Sequence, residues 1–352
     1  MFEDLIASWD GELVAVRHDE PSGAWMFLGV HSTALGPAMG GTRLKVYASP
    51  HDALADGLRL AQAMSMKQAA AGLPFGGGKA VLAVPSIPAP GSQDRRGLLL
   101  RYGSFVDALH GTYVTAADMN TGPADLDVVR EVTPHVMGTS PERGGAGDSG
   151  GATATGVFHA IAASAAHAFG DPSLAGRSVL VQGVGSVGAR LARLLAEAGA
   201  TVLLSDVDDG RAASLASELR ASSVPADAVP DTPCDVFAPC ATGGVLNADT
   251  IPRLACRVVA GAANNQLGAP EDAGRLSARG ILYAPDYVAN AGGVIHLAGY
   301  EVLGWDDDQI LRRLEGIGET LGEVFWTAER DGTTTAEAAD RIARARIAAA
   351  GV

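Results

Sequence analysis

Cysteine is scarce in this 352-residue chain. Cys234, Cys240 and Cys256 are too few for a disulfide scaffold and lack the close pairs or histidine partners of a zinc site. The eight histidines are scattered and form no HExxH arrangement, so no metal is expected. No run of about 18 or more apolar residues is present, so no membrane-spanning helix is expected. The start, Met1-Phe2-Glu3-Asp4, has neither the positive region nor the apolar core of a signal peptide, which points to a cytoplasmic protein. Positive charge is also short. With 26 Lys and Arg against 40 Asp and Glu, a net charge of -14 would repel a phosphate backbone, and nucleic acid is excluded as a partner.

What is abundant is apolar residues, at 47%, and glycine, at 45 residues, which suits a folded chain with many tight turns. The length exceeds what one hydrophobic core usually serves, so the expected architecture is α/β with two domains separated by a cleft.

In the first third, Ala24 to Val30 reads as a strand and Asp52 to Ala71 as a helix, with Leu54, Leu58, Ala61 and Ser65 on one side and Lys67 near its end. Gly76-Gly77-Gly78 reads as a turn that presents Lys79 ahead of the strand Ala80 to Val84. From Arg177 onward, strands and helices alternate. Ser178 to Val181, Thr201 to Leu204, Asp235 to Ala238, Arg257 to Ala260 and Gly280 to Tyr283 are short and apolar, as in a parallel sheet covered on both faces. Ligands sit beyond the carboxyl ends of such strands. The following segments should therefore line one crevice: Pro239 to Gly244, with Cys240 and Ala241; Gly261 to Gln266, with Asn264; and Pro285 to Gly293, with Asn290. The stretch from Ile310 reads as a helix with Leu311, Leu314, Ile317, Leu321 and Phe325 at core spacing.

The sharpest motif is Gly183-Val184-Gly185-Ser186-Val187-Gly188. Gly183 permits the tight turn, Gly185 lets a pyrophosphate approach the backbone, and Gly188 lets helix and strand pack closely. A lone motif of this kind is weak evidence. Here it lies between a strand and a helix and is followed by an acidic residue, Asp206, at the end of the next strand. Asp206 can accept from both ribose hydroxyls but would repel a 2'-phosphate, so the expected cofactor is NAD rather than NADP.

A lysine is ordinarily solvated, but Lys67 and Lys79 at the two ends of a glycine-rich turn suggest an anion site. Gly40-Gly41-Thr42-Arg43 reads as a further source of exposed backbone donors for a carboxylate. Three stretches, Gly36-Pro37-Ala38-Met39-Gly40-Gly41-Thr42-Arg43, Met64-Ser65-Met66-Lys67 and Gly76-Gly77-Gly78-Lys79-Ala80-Val81, closely resemble the leucine, phenylalanine and valine dehydrogenases, relatives of glutamate dehydrogenase. So do Tyr113-Val114-Thr115-Ala116-Ala117-Asp118, Gly144-Gly145-Ala146-Gly147-Asp148, Ala262-Ala263-Asn264-Asn265-Gln266 and Asn290-Ala291-Gly292-Gly293-Val294.

The resemblance covers nearly the whole chain. It implies a substrate-binding and oligomerisation domain over 1–145, a Rossmann NAD-binding domain over 146–330, and a C-terminal helix over 331–352 packing back on the first. It implies that Lys79 and Asp118 are catalytic, and that Lys67 with the Gly40 and Gly41 backbone holds the substrate carboxylate. Asn264 and Asn290 lie near the reacting centre in this reading, with Thr153 near the nicotinamide. The reaction implied is oxidation of a hydrophobic L-amino acid by NAD to a 2-oxo acid and ammonia, in a homo-oligomer.

Met39, Ala116, Val294 and Leu297 are the implied side-chain pocket. Local similarity leans slightly to phenylalanine, with valine or leucine as the alternative. Many relatives carry an acidic residue in place of Ala117. A 2-hydroxy-acid dehydrogenase would need a His base near an Arg, which has no candidate here. An inactive nucleotide-binding regulatory protein is disfavoured by the presence of Lys79 and Asp118.

Overall fold

The computed structural model describes residues 2–350. The chain divides into two compact units. One holds the chain up to Asp148, Leu297–Gly304 and the chain from Ala343; the other holds Ser149–His296 and Trp305–Ile342.

The first unit is built on a five-stranded mixed sheet of β1 (Leu13–Asp19), β2 (Ala24–Ser32), β3 (Ala38–Lys45), β4 (Gly76–Ala83) and β5 (Tyr113–Ala117), in the order β1-β2-β4-β3-β5. Its helices are α1 (Phe2–Ser8), α2 (Pro50–Ala70), α3 (Gln93–Asp107) and α4 (Pro123–Arg130). Strand side chains alternate between faces, and the core follows that alternation. Met26, Leu28, Ala80 and Leu82 join Leu98 and Tyr102 of α3 and Leu126 of α4 in one cluster. Phe27 and Val81 instead meet Leu54 and Leu58 of α2 on the other face. Each Met, Leu, Phe or Val side chain so buried is worth about 1.5–3 kcal/mol. Helix α2 starts where Ser49 accepts from the Asp52 N–H and Pro50 takes the first helical position, both strong start signals.

Gly76-Gly77-Gly78 is not a turn but the beginning of β4. The turn lies before it, and Lys79 is already within the strand. These glycines are there for close packing. A Cβ on Gly77 would lie 2.0 Å from the backbone nitrogen of Ser65 on α2, and one on Gly78 would lie 2.7 Å from the Tyr113 ring. Similarly, Gly40 and Gly41 are not exposed loop donors but buried residues inside β3, paired with Thr115 and Ala116.

The second unit carries a parallel six-stranded sheet of β6 (Ser178–Gln182), β7 (Thr201–Ser205), β8 (Ser222–Ser223), β9 (Val236–Pro239), β10 (Val258–Val259) and β11 (Leu282–Tyr283), in the order β11-β10-β9-β6-β7-β8. The chain runs outward from β6 and then returns to its other side at β9, which places the topological switch point between them. Helix α5 (Gly150–Phe169) precedes the sheet, α6 (Ser186–Glu197), α7 (Asp209–Leu219) and α8 (Asp272–Ala278) fall between its strands, and α9 (Asp286–Ala289) comes after the last of them. They are succeeded by α10 (Gly292–Ala298), α11 (Asp307–Asp331) and α12 (Thr335–Ala350). Helix α11 buries Ile310, Leu314, Ile317, Leu321 and Phe325. Leu311 is 46% exposed, because the buried stripe starts one residue earlier.

Leu297–Gly304 is tied into the first unit by Glu301. Its carboxylate accepts from the N–H groups of Gly138, at 3.0 and 2.9 Å, and of Ala146, at 2.7 Å. Arg346 on α12 donates to the carbonyls of Ala69 and Ala70 at the end of α2.

Candidate functional site

In the first unit, odd-numbered residues of β3 and β4 face α2. Register pairs Thr42 with Ala80 and Arg43 with Val81, so Lys79 and Arg43 are diagonal neighbours on one face. Ala116, paired with Gly41, and Met39 lie on that face too. Just past β5 the chain presents Asp118, whose N–H donates to Thr121 Oγ1 at 2.9 Å, while that hydroxyl donates to the Thr42 carbonyl at 2.8 Å.

The result is a compact charged cluster. Lys79 Nζ lies 2.7 Å from Asp118 Oδ2, and Arg43 Nε donates to that same oxygen at 3.0 Å. Arg43 Nη1 donates to Asp56 Oδ2 at 2.8 Å, and Tyr47 and Arg59 also donate to Asp56. The Lys79 side chain is 7% exposed and that of Asp118 25%. Burial pulls the Lys79 ammonium below its ordinary pKa, against the pull of Asp118, with Arg43 adding like-charge repulsion. Burial alone would raise Asp118, but Lys79 and Arg43 hold its carboxyl below the usual range. Asp56 is also desolvated, yet its donors bring it to about 2.

Two glycines make this approach possible. A Cβ on Gly40 would lie 1.7 Å from the Gly78 carbonyl, immediately before Lys79, and one on Gly41 would lie 2.8 Å from Asp118 Cβ. Below them Tyr113 donates to the Gly40 carbonyl at 2.6 Å, and Thr42, Tyr102 and Thr115 close a buried hydroxyl triangle. Lys67 occupies the last turn of α2, half-buried. Met39 is 2% exposed and Ala116 7%, while Leu297 and Val294 are half-buried, Leu297 in the first unit and Val294 in the second. Ala117 is exposed. Asp10, His31 and Ser65 are hydrogen-bonded in sequence, but Ser65, 1% exposed, packs on Gly77 and is no accessible nucleophile.

In the second unit the carboxyl ends of β6 and β9 meet. Gly183 has φ +92°, and a Cβ there would strike Ala241. Gly188 packs against the Gly183 carbonyl and Cys240 Cβ. Burial pushes the Cys240 thiol up to about 12, so it is a neutral packing group. Gly185 precedes α6 with open space around it and no side-chain cap. The N–H groups of the first turn, at Ser186, Val187 and Gly188, therefore suit a pyrophosphate. Asp206 accepts from the Val184 N–H at 2.8 Å and the Asp208 N–H at 3.0 Å. Burial alone would raise its carboxyl, but these donors lower it, so it is ionised. Beyond β10 and β11, Asn290 Nδ2 donates to Asn264 Oδ1 at 2.9 Å and to the Ala262 carbonyl at 3.1 Å. Asn290 Oδ1 is buried without a protein partner, an acceptor suited to a bound amide or amine. Gly292 and Gly293 let α10 close onto α5 beside Thr153.

Among the described residues no group of His, Cys, Asp and Glu is placed to hold a metal ion, and no helix is long and apolar enough to cross a membrane.

A doubly wound sheet with this glycine turn, in a chain whose other unit carries a buried lysine and aspartate in contact, defines a nicotinamide-dependent oxidoreductase. The chain belongs to the glutamate, leucine, phenylalanine and valine dehydrogenase family. Residues 19–135 match the Glu/Leu/Phe/Val dehydrogenase dimerisation domain, and residues 144–210 and 204–351 match Glutamate/Leucine/Phenylalanine/Valine dehydrogenase. It is 42% identical to a leucine dehydrogenase of Thermoactinomyces intermedius, over 98% of this chain and 93% of the relative. It is 47% identical to a valine dehydrogenase of Streptomyces coelicolor, over 96% and 93%. An L-tryptophan dehydrogenase structure from Nostoc punctiforme aligns over 99% of both chains with a TM-score of 0.85 and 37% identity. The chain is therefore an amino-acid dehydrogenase.

Proposed function

We propose that this enzyme catalyses the reversible oxidative deamination of a branched-chain L-amino acid, valine or leucine, with NAD as cofactor. The observation that carries the chemistry is the contact of buried Lys79 with Asp118 at 2.7 Å. Lys67, in the last turn of α2, holds the substrate carboxylate. The nicotinamide of a bound dinucleotide would supply the acceptor for the hydride of the substrate α-carbon. Lys79, its ammonium disfavoured by burial, then activates water for attack on the resulting imine, and Asp118 moves the proton that lets ammonia leave. Thr153, Asn264 and Asn290 orient the reacting groups, and the turn from Gly183 to Gly188, with Cys240 and Ala241 packed on it, seats the dinucleotide. The dimerisation-domain match supports a homo-oligomer.

Met39, Ala116, Val294 and Leu297 are the residues assigned to the substrate side chain in this reading. None of them can pair a carboxylate, so a glutamate side chain would be desolvated without compensation. The relatives' names favour a branched-chain substrate over phenylalanine, which replaces the slight lean of the local motifs. A panel of L-amino acids assayed with NAD should rank valine or leucine first in kcat/KM, and a glutamate or 2-hydroxy-acid optimum overturns the proposal. Val294→Ala should raise the phenylalanine-to-valine ratio of kcat/KM by about tenfold, since a methylene of fit is worth about 1–3 kcal/mol. An unchanged ratio removes Val294 from the pocket.

NAD should be preferred over NADP by at least about tenfold in kcat/KM, or about 1.4 kcal/mol. The opposing feature is Arg211, 3.6 Å from Asp206 Oδ1. Its guanidinium is exposed and is shared with Asp208 at 3.5 Å, and such surface pairs are worth about 0–1 kcal/mol. The charge of Asp206 therefore dominates. Equal efficiencies with the two cofactors would refute this role of Asp206.

A further inference from the structure

Three features single out Arg43 among the groups around the reacting pair. Its guanidinium converges with Lys79 on a single oxygen, Oδ2 of Asp118, at 3.0 and 2.7 Å. Its other end is anchored on Asp56 at 2.8 Å, and Asp56 is itself held by Tyr47 at 2.7 Å and Arg59 at 2.8 Å. The Arg43 side chain is 14% exposed, so its charge is little screened.

We propose that Arg43 is a positioning residue that sets the working state of the Lys79–Asp118 pair, with Asp56, Tyr47 and Arg59 as the brace that keeps its guanidinium in place. This rests on the catalytic reading of Lys79 and Asp118. Arg43 acts through Asp118, whose Oδ2 it holds at 3.0 Å. It fixes the Asp118 carboxylate from one side, so that the carboxylate can face a substrate while still holding Lys79. It also places a permanent positive charge beside Lys79, which disfavours the ammonium and keeps the amine available to activate water. Asp118 alone would do the reverse, because an unopposed carboxylate stabilises a charged lysine. Asp56 on α2 and Tyr113 on β5 also bear on the pair. Burial raises the Tyr113 hydroxyl well above its ordinary value, so it stays neutral across the working range. Lys67 and Arg59 are the basic residues of α2, and Arg59 is engaged with Asp56.

The test compares Arg43→Gln, Arg43→Lys and Lys79→Ala, each confirmed folded by its thermal transition, in kcat/KM against pH for oxidative deamination. In the unmodified enzyme activity rises as Lys79 loses its proton. Arg43→Gln removes the neighbouring cation, so that rise should move to higher pH by about one unit, with kcat at neutral pH falling about tenfold. The KM for the amino acid should change less than about threefold, because no substrate contact is lost. Arg43→Lys keeps the charge and should restore most of the profile. A folded Arg43→Gln enzyme with an unmoved profile, or an Arg43→Lys profile displaced as far as that of Arg43→Gln, overturns the proposal. Lys79→Ala separates the two levels. If it retains activity, the catalytic reading itself fails. If it is inactive while the Arg43 variants keep the original profile, only the role of Arg43 fails.

Discussion

Lys79→Ala is expected to lower kcat on the order of 10²-fold or more, with a much smaller change in the KM for the amino acid. Activating water for attack requires an amine that gives up its proton readily, and Lys79 is held in that condition by burial and by Arg43. Alanine leaves nothing in its place. The protein should remain folded, because Asp118 keeps its bond from Arg43 at 3.0 Å and its charge is not stranded. Lys67→Ala supplies the contrast. Loss of a carboxylate contact should appear mainly as a higher KM, since that contact is made in the ground state and the transition state alike. Steady-state kinetics on both variants measures the difference. Wild-type turnover in the Lys79 variant would remove that residue from the mechanism.

Gly40→Ala should be the most damaging single methyl group in the first unit. The added carbon would sit 1.7 Å from the Gly78 carbonyl, and what it strikes is the backbone of a central strand rather than a flexible side chain. Strand β4 can yield only by moving Lys79 away from Asp118, or by parting from α2, against which Gly77 is already packed. Overpacking of this kind costs about 3 kcal/mol or more, which corresponds to a fall in melting temperature of about 10 °C. Activity should be lost below that transition as well. Gly322→Ala on the exposed side of α11 has open space around it and should leave the melting temperature unchanged or raise it slightly, since alanine is favoured over glycine in a helix by about 1 kcal/mol. Equal melting temperatures for the two variants would show that the contact at Gly40 is not tight.

The chemistry of the chain was legible where residue type and spacing carry a physical requirement. A strand, three glycines, a helix and an acid in sequence identify a dinucleotide turn, because a phosphate needs backbone N–H groups and nothing larger than glycine in its path. The chain contains only three lysines, Lys45, Lys67 and Lys79, and two of them flank one glycine-rich segment, which suggests an anion site without the resemblance. The periodicities of α2, α6 and α11 also follow from the order of residues, since burying one helix face requires apolar groups three and four apart. At the start of α11 the period does not decide the register. Ile310 and Leu311 are both apolar, and only packing chooses Ile310 for the core.

Other features depend on contacts between segments distant in the chain. The glycines at 76–78 and 40–41 suggested turns and free backbone donors, because glycine is common in both. Their actual requirement, a neighbouring strand or helix lying too close for a Cβ, exists only once β3, β4, β5 and α2 are assembled. Arg43 likewise looked like the tail of a glycine motif. Its guanidinium meets Asp118, 75 residues away, and Asp56 on α2 because the pleat turns Arg43 and Lys79 to one face while the parallel register of β3 and β4 makes them neighbours. The sequence by itself thus determined which groups are available: a glycine turn of the dinucleotide type, two lysines, an aspartate and a set of apolar residues proposed for the substrate side chain. Only the tertiary structure decided which charges share an oxygen, because that distance is set by strand register and by glycine-permitted packing, neither of which is a property of any local segment.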